Sequence, residues 1–379
     1  MLNLNPTPQQ AAVMLQTMQQ STACWGVVAE DGYKAGIFNG VELHKRTYYP
    51  LRAAYPELPS QLVVAARMKA SEAVKSALTH RRKGRRTSQP RATLCPIRYD
   101  VRSYWVKWAR LTCSLATVAG RVELTFAVPP HAAKYMAGKV ASADLVYRKG
   151  KFRLHVVVSL PSPTILATAD VVGVDLGIVR PAVTSNNHFF GERRWKELEN
   201  RIFRLRRKLQ GKGTKSAKRH LRKLSGKLLR QRRDHDHLLS RRIVDNTPAG
   251  GTIVVENLTH IRARVKQRHG EQSRRLHTWS FAQLRSFLDY KGEERGSLVV
   301  AVDPRHTSQT CSRCDYTAKS NRRSQGAFCC GQCSYHLNAD LNGARNIAAK
   351  YMVQLASLGT SFAGGSLSDG LSSQATQVA

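Results

Sequence analysis

The chain has 379 residues, enough for two or three domains, and sets 61 Lys+Arg against 25 Asp+Glu for a formal charge of +36. Apolar residues make up 42%, so an ordinary core can form and wholesale disorder is excluded. The longest apolar runs, such as Leu298–Val302, fall far short of the roughly 20 residues of a membrane span. The start, Met1-Leu-Asn-Leu-Asn-Pro, lacks the charged and apolar regions of a signal peptide. A cytoplasmic protein with this surplus is expected to meet a polyanion, nucleic acid above all.

In chain order, Thr7-Pro8 reads as a cap followed by proline at the first helical position, and Ala12, Leu15 and Met18 keep helical spacing over 8–20. A second helix is predicted from Gln61 to about Leu78. It leads into the basic stretch 80–91, which reads either as a solvated linker or as a phosphate-contacting loop. From about 96 to 160 the period becomes two: Val122, Leu124, Phe126 and Val128 alternate with polar or small residues, as do Leu154, Val156 and Val158. This is an antiparallel β domain ending at Pro161-Ser-Pro163.

Val171–Gly177 is an apolar strand with Asp175 among apolar neighbours, followed by a hairpin turning at Asn186-Asn187 and returning through His188–Phe190. Residues 194–246 read as two long helices broken at Gly211–Gly213, with an apolar stripe of Trp195, Leu198, Ile202, Leu205, Leu209, Leu221, Leu224 and Leu228. Residues 193–242 carry 20 Lys/Arg against 4 Asp/Glu. A single-sign field of that density repels itself unless a polyanion covers it. The strand Thr252–Glu256, a helix from about Trp279 to Arg295, the strand Ser297–Val302 and a final helix through Asp340 complete the order. The Ser/Gly-rich end from Ser357 reads as disordered.

That order is the order of an RNase H-like fold, and it carries three acids: Asp175 in the first strand, Glu256 ending the fourth, and Asp340 opening the last helix, on one face with Ala344, Ile347 and Tyr351. Each acid alone has an ordinary alternative: a turn or salt-bridge residue, a partner for a nearby Arg, a helix cap. Together they are expected to meet at one sheet edge, where mutual repulsion calls for divalent cations. Two Mg²⁺ ions roughly 4 Å apart suit phosphodiester hydrolysis.

Eight cysteines split into scattered Cys24, Cys95 and Cys113, read as core residues, and five between 311 and 333. Cys311-x₂-Cys314 and Cys330-x₂-Cys333 make two short bites suited to one structural Zn²⁺. Cys329-x₃-Cys333 stays open as the alternative second bite.

Gly173-Val-Asp-Leu-Gly177, Val254-Val-Glu-Asn-Leu258, Leu288–Gly296, Asp303-Pro-Arg-His-Thr-Ser-Gln-Thr-Cys-Ser-Arg-Cys314 and Cys333–Ile347 resemble the motifs of the TnpB family, the RNA-guided nucleases of bacterial insertion sequences related to type V CRISPR effectors. The match spans about 170–352. It is weaker over the first 165 residues, where Leu4–Gln10 and Leu58–Gln61 still resemble family positions. Three residues depart from the family pattern: Asp315 follows the first knuckle where the family favours glycine, Ser334 follows the second, and Asn338 replaces the usual His or acid.

The resemblance implies an α/β multidomain chain. Residues 1–95 would hold the N-terminal strand and helical recognition lobe, 96–165 the β-barrel wedge domain, and 166–310 the first part of the RuvC nuclease. Residues 311–333 would be the zinc-ribbon insertion, 334–357 the last RuvC helix and 358–379 a disordered tail. It implies a bacterial, Mg²⁺-dependent RNA-guided DNA endonuclease that binds guide RNA and double-stranded target DNA beside a short flanking motif. One RuvC site (Asp175, Glu256, Asp340) would cut both strands. One protein per RNA is expected, with a dimer as the alternative, at the nucleoid when DNA-bound. The alternatives are a guided repressor that does not cut and a small type V CRISPR effector.

Overall fold

Thr7 opens the first helix as its residue types suggest. Its hydroxyl accepts from the Gln10 N–H while the Gln10 side chain accepts from the Thr7 N–H, a reciprocal capping box. In the computed structural model, which describes residues 1–161, 163, 164, 168, 170–178, 180–191, 193–259, 261 and 276–359, this helix (α1, Pro8–Ala35) runs well past the expected end at residue 20. The apolar stripe is interrupted by Thr17 and Thr22, but their hydroxyls donate to the carbonyls of Val13 and Met18 one turn back, so they sit buried within the helix. A second helix, α2 (Gly40–Ala54), was not expected from sequence: Asn39 caps it and Pro50 lies inside it. α3 (Ser60–Arg82) follows.

These helices are inserted between β1 (Leu2–Leu4) and β2 (Ile97–Tyr99) of a seven-stranded sheet completed by β3 (Tyr104–Lys107), β4 (Thr112–Thr117), β5 (Gly120–Ala127), β6 (Lys139–Arg148) and β7 (Lys151–Ser159). The order is β2-β6-β7-β1-β5-β4-β3. Its two outer strands, β2 and β3, are joined by a turn of four residues, Asp100–Ser103. Five peptide links span at most about 18 Å, whereas seven strands laid flat are about 29 Å across. The sheet must therefore curl into a barrel-like form, and Tyr99 and Tyr104, from opposite ends of the strand order, bury their rings 6.4 Å apart. The first unit, Met1–Pro161, is this barrel with its helical insertion.

The second unit, Ser162–Ala379, holds a five-stranded sheet of β8 (Val171–Asp175), β9 (Ala182–Thr184), β10 (Phe189–Phe190), β11 (Thr252–Glu256) and β12 (Val299–Val302). The order is β10-β9-β8-β11-β12, with β8, β9 and β10 antiparallel and β11 and β12 parallel to β8. This is the RNase H-like topology. Helices α4 (Arg193–Lys212), α5 (Lys215–Asp245), α6 (Phe281–Glu293) and α7 (Ala339–Gly359) accompany it. One face buries Val172, Val174, Ile253 and Val255 against Leu239, Ile243, Leu284 and Leu288 of α5 and α6. The other sets Val254 and Val302 against Ile347 of α7. Parallel strands covered on both faces need continuous apolar runs, which is why β8 and β11 read so clearly.

The α4–α5 seam buries Ile202, Leu224 and Leu228 with Leu198 and Leu209 packed on them. Three expected members of the stripe are not part of this cluster: Leu205 is exposed, Leu221 is half-buried outside it, and Trp195 stacks on His235 at 4.9 Å. Two short strands, β13 (Ala327–Cys329) and β14 (His336–Asn338), pair beside the cysteines. The second of them, β14, lies between Cys333 and α7. α7 begins at Ala339 and ends at Gly359, and the tail expected beyond it lies outside the described residues from 360 on. Among the described residues no helix is long and apolar enough to cross a membrane.

Candidate active site and metal centre

In the parallel pair β8 and β11, Val174 lies level with Val255. The next residues, Asp175 and Glu256, therefore end the two strands side by side. Since Val174 and Val255 face α5 and α6, alternation turns both acids toward α7. Gly173, on the same face as Asp175, lets α7 approach closely: a Cβ there would fall 2.1 Å from the Ala344 carbonyl oxygen and 2.6 Å from the Ala348 nitrogen.

Asn338 is the residue that caps α7, accepting from the N–H groups of Asp340 at 3.1 Å and Leu341 at 3.2 Å. Asp340 is therefore free of the capping role and shares one open cleft with Asp175 and Glu256. Gly343, one turn on, carries its hydrogen where a Cβ would sit 3.0 Å from Asp175 Oδ2.

The electrostatics follow from burial. Desolvation pushes the Asp175 carboxyl up to about 8; Glu256 and Asp340 add like-charge repulsion, and Arg322 opposes them. Burial also raises Glu256 against the hydrogen bond from Thr307 and the charges of Lys350 and Arg322. It raises Asp340 against Arg322 and Arg180. Three carboxyls that resist ionisation together are a hard-oxygen donor set, and a divalent cation of the Mg²⁺ class fits it.

Sequence reasoning missed the residues that tune these acids. Thr307 Oγ1 donates to Glu256 Oε1 at 2.6 Å, and the Arg322 guanidinium lies 3.7 Å from Asp340 Oδ1. Neither has a local signal: one contact crosses 51 residues of chain, and Arg322 is one base among many.

The four cysteines Cys311, Cys314, Cys330 and Cys333 bring their sulfurs within 4.8 Å of one another. Cys311 and Cys333 are 3.7 Å apart and Cys314 and Cys330 3.6 Å. Four convergent thiols match tetrahedral Zn²⁺ as a closed structural set. Cys329 lies outside this cluster, in β13 opposite His336, its Sγ 3.6 Å from His336 Nε2. Asp315 and Ser334 adopt left-handed φ of 59° and 54°, the conformation that glycine tolerates best. One outcome is direct: Cys329→Ser keeps one zinc per chain and Cys330→Ser loses it, read as the metal content of the purified proteins.

Residues 155–262 match the family described as "OrfB_IS605, Probable transposase", and residues 281–347 the one described as "Cas12f1-like, TNB domain". The chain carries a TnpB-type OrfB_IS605 domain and a Cas12f1-like TNB domain. The OrfB stretch carries Asp175 and Glu256; the Cas12f1-like stretch carries the four cysteines and Asp340. Among similar proteins, "CRISPR-associated endodeoxyribonuclease Cas12f1" of Sulfoacidibacillus thermotolerans is 32% identical over 234 residues, covering 55% of this chain and 53% of that one. "Putative RNA-guided DNA endonuclease InsQ" of Escherichia coli (strain K12) is 30% identical over 235 residues, covering 57% and 58%. The chain thus aligns with just over half the length of these curated relatives. The likeness in fold extends over nearly the whole chain: a structure titled "Cryo-EM structure of the Cas12f1-sgRNA-target DNA complex" matches with a TM-score of 0.59 at 16% identity, covering 90% of this chain and 83% of that one.

Proposed function

We propose that this chain is an RNA-guided DNA endonuclease: it binds a guide RNA, engages double-stranded DNA complementary to it, and hydrolyses phosphodiester bonds at Asp175, Glu256 and Asp340. The observation that carries the reading is the meeting of these three acids, from two strands and a helix, in one cleft within the stretches that match the OrfB and Cas12f1-like families. The names of the relatives, an endodeoxyribonuclease and an RNA-guided DNA endonuclease, point the same way.

In this reading the barrel and its helical insertion (1–95 and 96–165) hold RNA and the flanking motif. Residues 166–310 and 334–357 form the nuclease, and the ribbon 311–333 holds one structural Zn²⁺. The protein acts in the cytoplasm as one copy per RNA. Two Mg²⁺ ions held by the three carboxylates would supply an activated water, charge neutralisation at the phosphate and stabilisation of the leaving oxygen. The chain's own residues prepare that site. Asp175, its carboxyl pushed up to about 8 by burial, would give up its proton on holding a cation. Thr307 fixes one oxygen of Glu256. Arg322 and Arg180 line the same cleft as cations facing an incoming phosphate. Base pairing reads sequence, while the basic α4–α5 hairpin holds nucleic-acid backbones.

The test begins with sequencing the RNA that co-purifies with the full chain, which should contain a variable guide segment. DNA matching that segment should be cut with Mg²⁺ and not with EDTA. Guided binding without cutting would overturn the nuclease reading in favour of a repressor. Salt gives a second, independent check. If six to ten phosphates are contacted, affinity for the nucleic acid falls by about 10³–10⁵ between 50 and 200 mM salt. A nearly flat response would remove the role given to α4 and α5.

A further inference from the structure

Glu256 Oε1 accepts from Thr307 Oγ1 at 2.6 Å. The same hydroxyl lies 3.0 Å from the Pro304 carbonyl, but one O–H has one hydrogen, and the shorter bond to a carboxylate prevails. Thr307 therefore occupies one oxygen of Glu256 and fixes the direction of the other. Thr307 itself is 3% exposed, on the loop between β12 and the first zinc knuckle.

Two asparagines one turn apart on α7 hold that loop. Asn346 Nδ2 reaches the carbonyls of Thr307 at 2.8 Å and Thr310 at 2.6 Å. Asn342 Nδ2 donates to the Thr310 carbonyl at 2.8 Å, and its Oδ1 accepts from the Ser312 N–H, inside the first knuckle, at 3.0 Å. A third asparagine continues the chain of bonds. Asn321 donates to the carbonyls of Gln309 and Tyr316 and accepts from the Gly331 N–H of the second knuckle at 2.9 Å. Asn321 and Asn342 are 0% exposed and Asn346 5%. Buried amides that bond only backbone groups across elements are a costly arrangement unless the relative placement of those elements matters.

We propose that Thr307 is a positioning residue for the carboxylate site, held in register by the zinc ribbon through Asn342 and Asn346, so that an intact cysteine knuckle sets divalent-cation affinity at Asp175, Glu256 and Asp340. The inference rests on the reading of those acids as a cation site. Partners that orient metal ligands are worth 10–100-fold in metal affinity when removed.

The test compares the full chain with its co-purified RNA against Thr307→Val, which keeps the shape and loses the hydroxyl, and Thr307→Ser, which keeps the hydroxyl. Two readouts are taken: the Mg²⁺ concentration for half-maximal cleavage, and Mn²⁺ bound in excess of that bound by the Asp175→Asn complex, which subtracts sites on RNA. Thr307→Val should raise the half-maximal Mg²⁺ tenfold or more and lose Mn²⁺ affinity equally, with cleavage recovering at saturating metal; Thr307→Ser should stay within about threefold of wild type. Asn342→Ala should weaken Mn²⁺ binding in the same direction while still carrying one zinc. Unchanged Mn²⁺ affinity in Thr307→Val, or equal losses in the Val and Ser variants, overturns the role of the hydroxyl. Unchanged affinity in Asn342→Ala overturns the link to the ribbon. Failure of the underlying reading looks different, because Asp175→Asn would then bind Mn²⁺ and cut like wild type.

Discussion

Asp175→Asn is expected to lower DNA cleavage by at least about 10³-fold, on the order of 4 kcal/mol of transition-state stabilisation, while RNA and target binding stay within about twofold. The substitution keeps the shape of the side chain and removes a charge from the centre of the three-acid cleft. The same change should make the protein without divalent cations more stable at alkaline pH. The wild-type carboxyl is held at about 8 by burial, with Glu256 and Asp340 adding to it, against an ordinary value of 3.8. A folded-state value raised above the unfolded one gives stability that is complete below the unfolded value and lost as pH rises through the folded one. The window therefore runs from about pH 4 to about pH 8, and four units correspond to on the order of 5 kcal/mol. Thermal unfolding in EDTA at pH 5.5 and pH 8 should show the wild-type second unit losing stability toward pH 8 and the Asn variant losing much less. A divalent cation should restore the wild type at pH 8 and do little for the variant. Equal pH slopes in the two proteins would mean that Asp175 is not the strained acid.

Much of this site is legible in the sequence because its positions are fixed by short-range pattern. Val171–Asp175 and Thr252–Glu256 are apolar runs too short for helices and each ends in an acid; in a parallel sheet, strands that end alike place their last residues together. Two C-x₂-C bites announce a metal ribbon, but choosing between Cys329 and Cys330 needs the β13–β14 register, which turns Cys329 to His336. The cap of α7 is equally hidden. Asn338 and Asp340 are both plausible caps by type, and only the bonds to Asn338 free Asp340 for the cleft.

What sequence reading loses is set by contacts distant in the chain or by polar residues that find local partners. α2 is masked by Pro50 and by Tyr48-Tyr49, although Asn39 is a good cap. The far half of α1 begins beside Ser21 and Thr22, and Thr22 bonds back to the Met18 carbonyl of its own helix. Closure of the seven-stranded sheet follows from strand order, which no single strand records. Thr307 and Asn321 follow no periodicity, and the one-turn spacing of Asn342 and Asn346 does not tell what they bond; their meaning lies in the carboxylate and the carbonyls they reach across loops.

Gly173→Ala is expected to cost the second unit about 3 kcal/mol or more and to take cleavage with it. Inserting one methyl into a packed interior costs about 1–3 kcal/mol when side chains can yield. Here the nearest atoms are the Ala344 carbonyl oxygen at 2.1 Å and the Ala348 nitrogen at 2.6 Å, both backbone of α7. They cannot rotate away, so helix and strand must part. α7 carries Asp340 at its start and packs Ile347 on Val254 and Val302, so parting moves one acid away from the two fixed at the strand ends. Gly343→Ala is the contrasting case. Its methyl would meet Asp175 Oδ2 at 3.0 Å, the tip of a side chain that can give by a few tenths of an ångström. Glycine in a helix interior is about 0.5–1 kcal/mol worse than alanine, so this variant should unfold at the same or a higher temperature and keep cleavage within a few-fold. Denaturant unfolding and cleavage rates of the two variants, measured side by side, separate the explanations. Loss of both stability and cutting in Gly173→Ala alone locates the constraint in the backbone contact between β8 and α7. A Gly173→Ala protein as stable as wild type would mean that the helix has room to spare, and the placement of Asp340 would then need another cause.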